Sequence, residues 1–193
     1  QLLEYIIIII MKKKILIDYW NKFYKKNSIT AESTFAKFTY KKIINKKSTL
    51  LDIGCGNGRD SYYFNRKGLK VTGIDISQKA ILVANKNSLK HKLSGKAKFL
   101  RMSLTEIYGN KFDLIVSNPP YIKKKDIKNL EDDIKKFEPK LALDGGNDGL
   151  DLIKKVIYKS KSLLKLKGML ALEIGNEQYY KVSKILRNYK FKT

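Results

Sequence analysis

The stretch that most constrains this chain is Phe112-Asp113-Leu114-Ile115-Val116 followed by Ser117-Asn118-Pro119-Pro120-Tyr121. Asp113 apart, the first five residues are a short apolar run with β-branched Ile115 and Val116, the composition of a strand buried on both faces of a parallel sheet. Two prolines then stop the strand, because neither donates a ladder hydrogen bond and each fixes φ. The carbonyls beside the break are free, and in an open α/β sheet ligands bind at the carboxyl ends of the strands. Asn118 can present one carbonyl acceptor and two N–H donors. With the Pro119 carbonyl it could hold an N–H2 group by both hydrogens, leaving that nitrogen's lone pair aimed at an electrophile. Pro120 shapes the same turn, and Tyr121 supplies a flat face. An ordinary strand-terminating turn is the plain alternative.

A second stretch, Thr49-Leu50-Leu51-Asp52-Ile53-Gly54-Cys55-Gly56-Asn57-Gly58, reads as a buried strand running into a glycine-rich turn, with a helix from Arg59 to Lys67. Glycines let the backbone pass close to a ligand, and a helix N-terminus offers free N–H groups. Alone, G-x-G-x-G is weak. Its context strengthens it: Val71 to Asp75 reads as a second strand ending in an acid about twenty residues on, placed to accept hydrogen bonds from both ribose hydroxyls of an adenosine ligand. A dinucleotide could use the same layout, but a nicotinamide site prefers G-x-G-x-x-G, and Arg59 stands at the sixth position.

Glycine turn and acid together resemble the class I S-adenosylmethionine-dependent methyltransferases, and Asn118-Pro119-Pro120-Tyr121 resembles the motif of those that methylate amino groups. The resemblance implies a Rossmann-like α/β fold, a mostly parallel sheet with helices on both faces, and S-adenosyl-L-methionine as cofactor. It further implies that Asp52, Gly54, Cys55, Gly56, Gly58, Asp75, Ile76 and Asn118 contact the cofactor. It also implies that Asn118, Pro119 and Tyr121 carry catalysis, with Pro120 beside them on the acceptor. Many members place an acid near the adenine amino group, where this chain has Ser103, whose hydroxyl or backbone could substitute.

Between these motifs, Ser77 caps a helix to about Ser88 with Ile81 and Ala84 inward, and Ala97 to Arg101 reads as a third strand. After the central strand, helix is expected from Asp126, with Ile127, Leu130 and Ile134 on one face. Phe137-Glu138-Pro139 with Ala142-Leu143, then Gly145-Gly146-Asn147-Asp148-Gly149-Leu150, then Leu172-Glu173-Ile174-Gly175 with Gln178 follow in order. With Asn118-Pro119-Pro120-Tyr121-Ile122 they look like the peptide-chain-release-factor glutamine N5-methyltransferases over Phe112 to Val182. The implied partner is a peptide chain release factor. A helix is expected over Gly149 to Leu166 and ended by Gly168, a fifth strand over Met169 to Ile174, a helix over Glu177 to Asn188 and a sixth strand from Tyr189 to Phe191. A methyltransferase sheet of seven strands needs more than this, so a truncated chain is expected, with its fifth strand exposing an edge.

The front half departs from that family. Residues 12–47 are too short for a separate substrate-binding helical domain, and Gly54 to Asp60 with Tyr19-Trp20 and Phe35 to Phe38 is more similar to small stand-alone methyltransferases. Residues 1–47 are expected to form an extension whose helices, one of them over Ser33 to Asn45, pack on the cofactor side. Residues 48–193 are expected to form the methyltransferase domain, incomplete at its C-terminal end.

Composition supplies the remaining bounds. Formal charge is +23, from 41 Lys and Arg against 18 Asp and Glu, which draws a protein toward RNA, ribosomes or anionic surfaces. A coding bias toward Lys, Ile, Asn and Tyr accounts for it equally well. Cys55 is the only cysteine and His91 the only histidine, which excludes an internal disulfide and a Cys/His metal site. The apolar run Tyr5 to Ile10 is far short of the ~20 residues of a membrane span. Met11-Lys12-Lys13-Lys14 suggests a start at Met11. A cytoplasmic, metal-free enzyme is expected, with a nucleic-acid amino-methyltransferase and a non-catalytic cofactor- or RNA-binding fragment as rivals.

Overall fold

The computed structural model describes residues 31–42, 48–91, 95–109, 111–129 and 143–192. Tyr19, Trp20, Leu130, Ile134 and the Phe137-Glu138-Pro139 segment lie outside them. The strands are β1 (Thr49–Ile53), β2 (Lys70–Asp75), β3 (Ala97–Arg101), β4 (Phe112–Ser117) and β5 (Leu164–Leu172). They form one parallel sheet in the order β3-β2-β1-β4-β5. The helices are α1 (Thr34–Lys42), α2 (Arg59–Arg66), α3 (Gln78–Lys90), α4 (Asp151–Leu163) and α5 (Tyr179–Asn188).

Alternation along the central strands divides the core into two layers, as period-2 geometry requires. Leu50, Leu114 and Val116 join Ala36 of α1 and Phe64 of α2 on one face. Leu51, Ile53 and Ile115 join Val156 and Leu163 of α4 on the other. Leu50, Leu51, Leu114, Ile115 and Val116 are all sealed from solvent, each contributing roughly 2 kcal/mol of apolar burial. That both-face burial is what the apolar run of β4 predicted, and the Rossmann-like α/β class follows from it.

Local caps sit where the side chains dictate. Ser77 Oγ accepts the Ala80 amide at 3.1 Å to start α3, and Ser33 Oγ accepts the Ala36 amide at 3.0 Å to start α1. Ser33 is in turn held by Asp60, which accepts its amide at 2.8 Å and its hydroxyl at 2.6 Å. The described part of the N-terminal segment is therefore tied to the helix that follows the glycine turn.

Two sequence expectations are corrected. The helix expected to reach Leu166 ends at Leu163, and β5 begins at Leu164 rather than Met169. Phe112 pairs with Leu164 and Leu114 with Met169, so two residues of advance on β4 match five on β5 and the residues between loop out. Lys167 takes the left-handed conformation there, φ 64°. The strand expected at Tyr189 to Phe191 is instead a turn, in which Lys190 is left-handed at φ 63°. Phe191 folds back on the α4 and α5 cluster around Ile153, Ile157 and Val182, so burying its ring outweighs extending the chain. Among the described residues β5 is an edge strand, as β3 is on the other side, and Leu166 on it is almost fully exposed. Lys165 and Lys167 flank it, the kind of charge that discourages edge pairing.

Candidate active site

The register of the sheet places the motifs side by side. Ile53 pairs with Ile74 on one side and Ser117 on the other, and Ser117 pairs with Leu172. One residue beyond this line, at the carboxyl ends of four neighbouring strands, stand Asp75, Gly54, Asn118 and Glu173. Adjacent strands are about 4.8 Å apart, so the glycine turn lies directly between the acid and the asparagine.

The glycine turn is anchored from below. The amides of Gly54 and Cys55 both donate to the Ile74 carbonyl, at 2.9 and 3.0 Å, and the Gly58 amide donates to the Cys55 carbonyl at 3.0 Å. Gly54, Gly56 and Gly58 have φ of 77°, 55° and 82°, a left-handed succession that side chains resist. A Cβ on Gly54 would meet nothing within 4 Å, whereas one on Gly58 would press on Phe99 and Ala84. Gly54 thus borders open space, and Gly58 is required by packing. The Cys55 side chain points away, into a cluster with Ile81, Ala84 and Phe99. Burial pushes its thiol well above the ordinary range, and the charges of Asp52 and Asp75 add to this, leaving only its backbone to meet a ligand.

Asp75 accepts the Gly56 amide at 3.0 Å through Oδ2 and the Ser77 amide at 2.8 Å through Oδ1. Burial raises its pKa, and the bonds from Ser77, Gly56 and Ile76 oppose the rise. A carboxylate has about four lone-pair sites, so with these three bonds one site stays open to a further donor. Ile76, next along, is half-buried. Asp52 is buried inside the same mouth, where its Oδ2 accepts the Ser61 hydroxyl at 2.6 Å. Burial pushes its pKa up to about 7, the Ser61 bond works against that, and the neighbouring charges of Asp60 and Asp75 raise it further.

Ser103 lies past the end of β3, where the Met102 amide donates to the Asp75 carbonyl at 3.0 Å. It opens a single 3-10 turn: its amide donates to Glu106 at 2.6 Å and its hydroxyl shares a 2.8 Å bond with Thr105. The hydroxyl expected to replace an acid near an adenine is therefore engaged locally.

Ser117 anchors the break in β4 on both sides. Its hydroxyl donates to the Ile53 carbonyl at 3.1 Å, and its carbonyl accepts the Glu173 amide at 3.0 Å. Asn118, immediately after, is exposed, Pro119 is buried and Pro120 half-buried. Tyr121 packs beside Leu150, Ile153 and Ile157, so its ring forms part of the wall under the turn as well as a possible face for an acceptor. Ile122 bridges in parallel to Asp144, with its amide donating to the Leu143 carbonyl at 3.1 Å and its carbonyl accepting the Gly145 amide at 2.9 Å. The Gly145 to Leu150 loop thereby docks beside the Asn118 to Tyr121 turn.

One residue of this site had been noted only as part of a motif. Gln178, buried at the start of α5, donates through Nε2 to the Tyr121 carbonyl at 2.9 Å and the Gly149 carbonyl at 3.1 Å. Its Oε1 accepts the Gly175 amide at 2.9 Å. The signal was present in the sequence, since Gln three residues after a turn glycine at a helix start is a capping arrangement.

Comparison with known proteins agrees with this geometry. A family model described as a methyltransferase domain matches residues 44–189. The ribosomal protein uL3 glutamine methyltransferase of Francisella tularensis is 39% identical over 139 residues, covering 70% of this chain and 44% of that protein. The release factor glutamine methyltransferase of Clostridium acetobutylicum is 38% identical over 153 residues, 77% of this chain and 54% of that one. The chain spans about half the length of these relatives. Among solved structures, the ribosomal protein L11 methylase of Lactobacillus delbrueckii shares the fold with a TM-score of 0.61 at 21% identity, over 82% of this chain and 67% of that one. Among the described residues, no helix is long and apolar enough to cross a membrane. With its glycine turn, its acid on β2 and its broken fourth strand arranged at the carboxyl ends of the central strands, this chain belongs to the methyltransferase-domain family.

Proposed function

We propose that the chain is an S-adenosyl-L-methionine-dependent N-methyltransferase that methylates the side-chain amide of a glutamine in a peptide chain release factor. The observation that carries this reading is the exposed Asn118 standing one register step from Gly54 and two from Asp75. The residues present suit the cofactor. Gly54 borders open space, Asp75 keeps a lone pair for a ribose hydroxyl, and the acids Asp52 and Asp75 beside the glycine turn favour a cationic ligand. When bound, the cofactor would supply an electrophilic methyl group on a sulfonium.

An amide nitrogen is a poor nucleophile because its lone pair is delocalised into the carbonyl. Asn118 Oδ1 and the Pro119 carbonyl would each accept one hydrogen of the acceptor N–H2, orienting its lone pair and stabilising positive charge as it develops on nitrogen. Positioning of this kind is worth up to ~7–11 kcal/mol, and an oriented carbonyl dipole about 3 kcal/mol more. Tyr121 would pack on the flat amide, and the buried Pro119 would keep water from one side of it. The names of the relatives at 38–39% identity support glutamine as acceptor, and an acceptor that works in translation supports a cytoplasmic location. The charge of +23 favours a salt-sensitive contact with RNA or the ribosome beside the protein substrate.

A second acceptor, a glutamine of ribosomal protein uL3, is favoured by the relative from Francisella tularensis. Transfer of labelled methyl from the cofactor to purified release factor, uL3 and total RNA tests all three. Label on a release-factor glutamine is the expected result. Label on uL3 alone would move the acceptor, and label confined to RNA, or absent from all three, would overturn the proposal.

A further inference from the structure

The segment from Glu173 to Gln178 grips the Asn118 turn at both ends. The Glu173 amide holds the Ser117 carbonyl at 3.0 Å, and the Gln178 amide holds the Tyr121 carbonyl at 2.9 Å. Between these anchors lie Asn118 and two prolines whose φ is fixed by their rings. Pinning both ends therefore sets the direction of Asn118, with little backbone freedom left.

Gln178 is suited to this and to nothing smaller. Three of the four hydrogen bonds open to its amide are made, two as donor and one as acceptor. A Cβ on Gly149, whose φ is 75°, would come within 2.5 Å of the Tyr121 carbonyl oxygen and 2.6 Å of Gln178 Nε2. One on Gly175 would lie 3.2 Å from Gln178 Oε1. Two glycines thus clear the space in which one side chain ties three loops together. Gln178 is buried and its amide bonds only to backbone groups of this chain, so its role runs through the turn rather than through contact with cofactor or acceptor.

Resting on the methyl transfer proposed above, we propose that Gln178 is a positioning residue, whose amide holds the Tyr121 carbonyl and so keeps Asn118 aimed at the acceptor nitrogen. Loss of the amide lowers turnover far more than it changes binding. In Gln178→Met, similar in size but without the hydrogen bonds, kcat should fall about 30-fold or more with KM for the acceptor and cofactor affinity within about threefold. Gln178→Glu separates positioning from mere support. Its carboxylate can accept from Gly175 but repels the two carbonyls, whereas the protonated acid can donate to one of them. Burial among carbonyls raises the pKa of such an acid, so the ratio of its kcat to that of the unaltered chain should rise about tenfold or more from pH 8.5 to pH 6.

The test uses the full chain and both variants, in methyl transfer to release factor and in amide hydrogen exchange without acceptor. Exchange at Ile122 should quicken at least about tenfold in Gln178→Met while that of Leu51 in β1 is unchanged. Equal kcat in both variants, or a ratio flat with pH together with unchanged exchange at Ile122, would overturn the proposal. If the unaltered chain transfers no methyl group, the proposed function fails, and exchange at Ile122 alone decides whether Gln178 holds the turn. Should Gln178→Met not fold, the pH ratio and the exchange of Gln178→Glu carry the same decision.

Discussion

Asp75, at the end of β2, accepts the backbone amide of Gly56 at 3.0 Å across nineteen positions of sequence. The acid that would hold a ribose hydroxyl is thus also the peg on which the glycine turn hangs. Substitution by Asn leaves one acceptor oxygen where two are needed, and turns an N–H2 toward a backbone N–H.

Asp75→Asn should therefore weaken S-adenosylmethionine binding by at least about tenfold, since it removes a ligand contact and loosens the turn together. Titration calorimetry checks this, and unchanged affinity would take Asp75 out of the site.

Asn118→Ala should behave in the opposite way. The side chain is exposed, so stability should stay within about 0.5 kcal/mol and cofactor affinity should hold. Turnover should fall ~100-fold or more. Single-turnover methyl transfer with saturating cofactor makes the measurement, and a rate equal to that of the unaltered chain would remove Asn118 from the reaction.

Asp52 has a raised pKa of about 7, caused first by burial. Its neutral form favours the fold fully below about pH 4, and that advantage is lost as pH rises through 7. Asp52→Asn can still accept from Ser61 and never ionises. It should be more stable than the unaltered chain at pH 8, by as much as about 4 kcal/mol without ligand, and nearly equal to it at pH 4. Melting curves at the two pH values check the difference.

At the other end of the sheet, Asp113 Oδ2 takes the Thr49 amide at 2.8 Å, its hydroxyl at 2.7 Å and the Lys165 ammonium at 2.9 Å. Burial raises the pKa, but the Thr49 and Lys165 bonds outweigh it and hold the carboxyl at about 2. This contribution is present above about pH 4 and lost as pH falls through 2. Because the side chain is more than a third exposed, solvent screening limits it to about 1 kcal/mol. Asp113→Asn should be destabilised by that amount at pH 7 and match the unaltered chain near pH 1.5, as denaturant titrations would show.

Much of this was legible because the decisive residues are local signals. The burial of β4, the glycine turn, the Ser77 cap and the acid closing β2 each follow from side chains within a few positions. The end of α4 was not legible: Leu163-Leu164-Lys165-Leu166-Lys167 satisfies a helical face and a strand alternation equally well. Tertiary pairing of Leu164 with Phe112 decides it, and the reversal falls on Lys167 rather than on Gly168. Nor did Tyr189 to Phe191 betray its turn, since an aromatic pair around a lysine has strand composition. The Asp60 bond to Ser33, the Asp113 bond to Thr49 and the Gln178 clamp join residues far apart in sequence, and no local pattern announces such partners.

Cys55 gives the chain a built-in reporter. Its thiol faces Ile81, Ala84 and Phe99 beneath the glycine turn, and no other cysteine competes for a reagent. Thiol-modifying compounds can reach it only when that corner of the molecule opens, so the turn is shielded from oxidants while folded. The speed of labelling then times those openings, and a bound adenosine ligand would lengthen the wait.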